Sequence, residues 1–212
     1  MAGPDSGSDR GQAFTLEGIV SAAIVLTAVL FAIQSTVITP TTGGSVDPQV
    51  RSQLQREASD VLVTTAQNES YDLSALVRYY SPLDQTFEGA VNPDVGYGTH
   101  QPPGNLGTLL ARTFTEHGRR YNVYVYYRGQ NLSSDPKRET MVYQGQPGDD
   151  AVVASRTVTL YDNQTLTSSY SNRVELWQYD QNATDDDDGY YPIPNAVDGP
   201  VYNVVEVRLI VW

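Results

Sequence analysis

The stretch YNVVEVRLIVW (residues 202–212) decides the fold. Asn203, Val205, Val207, Leu209 and Val211 share one face of an extended chain, while Glu206 and Arg208 fall on the other. Period-two alternation of this kind predicts a strand in an antiparallel sheet with one covered face. The same pattern runs through RRYNVYVYYRG (119–129), where Tyr121, Val123, Val125 and Tyr127 oppose Asn122, Tyr124, Tyr126 and Arg128. AVVASRTVTLY (151–161), NRVELWQY (172–179) and a short run at ETMVY (139–143) continue it. A sheet of about four to five strands is expected.

Helical spacing appears between the linker and the strands. Asp47-Pro48 reads as an N-cap with proline at the first helical position, and Val50, Leu54, Val61 and Leu62 continue on one face to about Gln67. A short helix is expected within YDLSALVRYY (71–80), ended by Ser81-Pro82. NLGTLLARTFTEHG (105–118) places Leu106, Leu109, Leu110 and Phe114 on one face, with Asn105 as cap and Gly118 as terminator. Helices 48–67 and 105–118 are the expected covers of the sheet, giving an α+β head.

Upstream lies a different kind of segment. From Gly18 to Thr39 no residue is charged, and Ile, Val, Leu and Ala dominate. A helix of that length would measure about 33 Å at 1.5 Å per residue, against a hydrocarbon core of roughly 30 Å. The expectation is a long N-terminal transmembrane helix, stopped by Pro40 and followed by the linker TTGGS. A cleaved secretory signal is the competing reading, but the acidic start at Asp5 and Asp9 and the length of the apolar run oppose it.

The chain has 13 basic and 25 acidic residues, a net charge of −12 and a pI near 4.4. Lys137 is the one lysine among twelve arginines. Such a surface repels phosphate backbones and excludes nucleic acid as a partner. It resembles the surfaces of proteins from salt-loving archaea, where molar salt shortens the Debye length to about 3 Å. The chain has no cysteine, which removes disulfides and thiolate chemistry. No nucleophile elbow, phosphate loop, zincin helix or dinucleotide fingerprint occurs, so neither an enzyme nor a cofactor is expected. His100 and His117 are 17 residues apart, and His117 sits where a helix C-terminus favours a cation.

NATDDDDGYYP (182–192) is the one local candidate for a metal. Asp185, Asp186, Asp187 and Asp188 before Gly189 offer carboxylates for Ca²⁺, but the spacing departs from an EF-hand and a solvated acidic loop is the simpler reading. Sequons at Asn68, Asn131, Asn163 and Asn182 all follow the apolar segment and place the bulk of the chain outside the cell. Tyrosine occurs fifteen times, with pairs at 79–80, 126–127 and 190–191, suited equally to interfaces and to filling sheet surfaces.

RGQAFTLEG, followed by the apolar run over roughly residues 10–38, resembles the N-terminus of type IV pilins and pseudopilins. In that superfamily a prepilin peptidase cuts after a glycine that follows a basic residue. Arg10 and Gly11 match this context, with Gln12 as the new first residue; Phe14, Thr15, Leu16 and Glu17 match the mature start. The resemblance implies a cytoplasmic leader (1–11), a transmembrane pilin-like helix (12–39), a linker (40–47) and an extracytoplasmic α+β head (48–212). It also implies a single-pass surface protein of haloarchaeal type that assembles with itself or with other pilin-like subunits. Phe14 and Glu17 would mediate assembly, with the Glu17 carboxylate meeting the free α-amine of a neighbour and fixing axial register. A simpler role is open to Glu17, because an acid in a first helical turn favours the macrodipole unaided. The alternative for the whole chain is an anchored extracellular binding module, an adhesin or receptor that does not assemble.

Overall fold

The structure, a computed structural model, describes residues 18–27, 47–69, 71–129, 135–171, 173–179, 189–197 and 199–212. They belong to two units, Met1–Ser45 and Val46–Trp212. In the first, residues 18–27 are helical (α1) and every one of them is exposed. Thr27 returns its hydroxyl to the Ala23 carbonyl at 2.7 Å, as hydroxyls inside apolar helices do.

This corrects the expected long transmembrane helix. Among the described residues no helix is long and apolar enough to cross a membrane. Ten helical residues extend about 15 Å, half of a hydrocarbon core. The remainder of 12–39, residues 12–17 and 28–39, lies outside the described residues.

The second unit begins with α2 (Pro48–Ala66), capped by Asp47, whose carboxylate accepts from the Gln49 amide at 2.8 Å. Leu54, Ala58, Val61, Leu62 and Thr65 make its buried stripe. After α3 (Leu73–Val77), with Asp72 as cap, the chain forms β1 (Tyr80–Ser81) and β2 (Thr86–Phe87), a two-stranded antiparallel sheet absent from the sequence reading. Helix α4 (Gly104–Thr113) runs into a 3₁₀ turn at Thr115–His117, and Gly118, at φ 71°, ends it in the left-handed region. Its cap is Pro103, without a side-chain bond and two residues before the expected cap Asn105, which lies inside the helix.

Four strands then complete the main sheet: β3 (Tyr121–Tyr127), β4 (Lys137–Val142), β5 (Val152–Tyr161) and β6 (Val201–Val211). Their order is β4-β3-β6-β5, antiparallel throughout. The expected single sheet of four to five strands is therefore two sheets, of two and four strands. Within the expected strand 172–179, the described residues 173–179 do not supply a fifth strand. Gln178 turns its amide oxygen back to the Glu175 amide at 2.9 Å, and the closed capping box makes Leu176–Gln178 a 3₁₀ turn. One isolated bridge, Thr165 to Glu175, is all the pairing that remains there.

β6 lies at the centre, paired to β3 on one side and β5 on the other. Val205, Val207, Leu209 and Val211 are fully buried on the face covered by α2. Each tyrosine pair splits between core and surface, because adjacent residues of an extended chain point opposite ways. Tyr80, Tyr127 and Tyr191 are buried, and Tyr79, Tyr126 and Tyr190 are half-exposed. Tyr191 packs edge-on against Tyr80 at 5.7 Å and lies beside Tyr202 at 6.4 Å. The Tyr202 hydroxyl donates to the Ile193 carbonyl at 2.6 Å, and the Asn203 amide donates to the Pro194 carbonyl at 2.7 Å. These bonds tie the 190–195 segment onto the core. Burial pushes the phenols of Tyr80, Tyr127, Tyr191 and Tyr202 well above the ordinary tyrosine range.

Glu139 sits half-buried among these rings and accepts from the Tyr127 hydroxyl at 3.1 Å. Burial raises its carboxyl above the usual range, against the opposing pull of the Tyr127 bond and Lys137. Because the raised value belongs to the folded state, protonation of Glu139 favours folding. That contribution is complete below the unfolded value and is lost as pH rises through the folded one. Glu139→Gln should therefore raise the melting temperature at neutral pH, with a gain that shrinks on acidification; a gain independent of pH would remove this account. Leu209→Ala should destabilise the head by about 2–5 kcal/mol in denaturant titration. Val204→Thr, on the opposite face of the same strand, should cost less than about 1 kcal/mol.

Candidate functional site

The expected site residues divide by location. Gly11, Gln12, Phe14, Glu17, Asn131, Asn182 and Asp185–Asp188 lie outside the described residues. Asn163 is exposed in the turn after β5, while Asn68 is half-exposed beyond α2 and accepts the Tyr71 amide at 2.9 Å. Among the described residues no group of three His, Asp or Glu side chains could hold a metal ion. His117 and Arg119 line a polar groove of about 560 Å³ with Gln53, Glu57 and Thr113, and His100 stands apart on an exposed loop.

The sheet brings together a group that no motif announced. Its outer face carries Tyr124 and Tyr126 of β3 and Val204, Glu206, Arg208 and Ile210 of β6, and the antiparallel register sets Tyr124 opposite Arg208 and Tyr126 opposite both Glu206 and Arg138. The Arg138 guanidinium lies over the Tyr124 ring at 4.7 Å, and that of Arg208 over Tyr126 at 4.2 Å. The two rings meet edge to face at 6.3 Å. Each cation–π contact at such a site contributes about 0.5–1 kcal/mol and holds the guanidinium flat. Arg208 is also clamped by Glu206 at 3.1 Å, which keeps that carboxyl below its usual range. It is the one ion pair among the described residues. Arg138 therefore keeps its outward N–H groups.

At the β4 side of this face a hollow of about 320 Å³ opens, lined by Tyr124, Tyr126, Arg138, Thr140 and Ile210 from the strands. Asp94, Tyr143, Gln146 and Pro147 close it from two loops. Both loops are fixed by asparagine side chains. Asn92 Oδ1 accepts from the Asp94 and Val95 amides at 3.0 Å each, turning the chain so that Gly96 reaches β4. There the Tyr97 amide donates to the Met141 carbonyl at 2.8 Å and the Tyr143 amide to the Val95 carbonyl at 3.0 Å. Gly96 has φ +58°, and a Cβ placed on it would stand 2.1 Å from the Met141 oxygen, so only glycine permits this approach. Asn122, fully buried, holds the second loop: its amide donates to the Gly145 carbonyl at 2.9 Å and its oxygen accepts the Gln144 amide at 2.8 Å.

Tyr124 and Tyr126 were visible as one face of a strand, and so were Glu206 and Arg208. The pairing that stacks arginine on tyrosine depends on register, and Asp94, Tyr143 and Gln146 arrive from loops without periodicity. Asn122→Ala should free the second loop, speeding hydrogen exchange at the Gln144 amide and costing about 1–3 kcal/mol for the groups left unpaired.

Neither a curated protein nor a solved structure matches the chain. A family model does, over residues 10–211, and so takes in the apolar N-terminal segment together with the described head as far as Val211. With a match of that extent, the chain belongs to that family, the Family of unknown function (DUF7288).

Proposed function

We propose that the chain is a pilin-like structural subunit of an archaeal cell surface, held at the membrane by its apolar N-terminal segment and presenting the β-sheet head outside. One observation carries the reading. In α1 the side chains of Ile19, Val20, Ile24, Val25 and Leu26 are 50–68% exposed, and together they surround the helix. A helix apolar on every side is stable only where lipid or other apolar helices enclose it. Small residues between them, Gly18, Ser21, Ala22 and Ala23, allow like helices to approach closely. The family match, beginning at residue 10, supports treating segment and head as one functional chain. Within this reading Glu17, at the entrance of the apolar segment, selects the axial position of each subunit by meeting a neighbour's terminal amine.

Mass spectrometry of the native protein tests processing: a first residue at Gln12 is expected, and an intact Met1 contradicts it. Glu17→Ala should deplete the chain from sheared surface filaments while leaving its total membrane-associated amount unchanged. Normal incorporation of that variant would remove the register role.

A further inference from the structure

We infer that the hollow on the outer sheet face is a binding site for a saccharide, of the size of a single sugar unit or the end of a glycan chain. The ligand class follows from what the hollow offers and what it refuses. Arg138 contributes N–H donors held flat by Tyr124, with no carboxylate engaging them among the described residues. Asp94 contributes an exposed carboxylate, acceptor only, that no described donor engages. An anion drawn to Arg138 meets Asp94, and a cation drawn to Asp94 meets Arg138. A ligand built of hydroxyls meets neither penalty, because each hydroxyl donates to one neighbour and accepts from another. The remaining polar groups, the Thr140 and Tyr143 hydroxyls and the Gln146 amide, work in both directions as well.

The rest of the lining is flat or apolar. Tyrosine rings, Pro147 and Ile210 suit the C–H faces that a sugar ring turns away from its hydroxyls. A volume of about 320 Å³ is at the lower end of the roughly 300–1,000 Å³ usual for small-ligand sites. The geometry is set in advance, since Asn92 and Gly96 fasten the Asp94 loop to β4 and Asn122 fastens the loop bearing Gln146. Little ordering remains to be done on binding, which favours affinity. The site is independent of assembly. A protein that fails to form filaments can still retain sugar, and the reverse.

The full-length protein, in a detergent without a sugar headgroup, would be applied to an array of immobilised glycans. Saturation-transfer NMR would then use the free monosaccharide that corresponds to any retained glycan. Retention of at least one glycan is expected, with transfer to the sugar C–H protons. Asp94→Asn and Tyr143→Ala should each weaken binding at least tenfold at unchanged melting temperature, and Arg119→Gln in the other groove should leave it unaltered. Affinity for an uncharged sugar should hold from about 0.1 M to 2 M salt, a range over which an ion-binding site would be screened. Failure to retain any glycan overturns the inference. So does retention undiminished in both hollow variants, or competition by free glycine, which would reassign the hollow to a zwitterion.

Discussion

The head depends on a single constraint: β6 must be covered on both edges and on one face at once. β3 and β5 occupy its edges, α2 lies over its buried side, and Arg120 and Trp212 exchange backbone bonds at its end. A strand flanked on both sides satisfies its backbone groups without water, which is what allows four fully buried aliphatic side chains in one row. The other face of the same strand is released from that requirement. It can hold Glu206 and Arg208, and from them the Tyr–Arg arrangement is built.

Much of this architecture was legible because it rests on side-chain alternation within about ten residues. Strands β3, β5 and β6, the Asp47 cap and the Gly118 terminator all follow from local chemistry. Two elements were misjudged for local reasons too. In NRVELWQY the apolar spacing imitates a strand, but Gln178 satisfies the Glu175 amide within one turn, and the 3₁₀ turn at Leu176–Gln178 separates the extended residues Glu175 and Tyr179. The β1–β2 pair is two residues per strand, too short for periodicity to register, and it is held by Ser81 donating to Asp84 across the turn at 2.8 Å. At the N-terminus, hydropathy alone extended a helix over 22 residues, whereas the described helix is ten residues long.

The hollow was the least legible part. Its strand residues are visible as faces, but which ring lies under which guanidinium is a matter of register, set by a bulge between Val123 and Tyr124 and by pairing across more than eighty residues. Its loop residues owe their places to Asn92, Gly96 and Asn122, ordinary residues whose importance lies in what they bond. The abundance of tyrosine had two equal explanations, and the molecule uses both. One ring of each pair fills the interior, and on β3 the other, Tyr126, helps form the outer surface.

The stitch at Gly96 also bears on how such heads tolerate crowding. An uncovered strand margin invites a neighbouring chain to add itself and fuse two sheets. On β4 the 92–97 loop occupies the margin at Met141–Tyr143, while Lys137 and Arg138 leave charge along the rest. On β5 the margin is interrupted where the Gln55 side chain takes the Val153 carbonyl, and Arg156 stands exposed a few residues on. Two such heads brought side by side would therefore remain separate bodies, each closed to strand addition by the other.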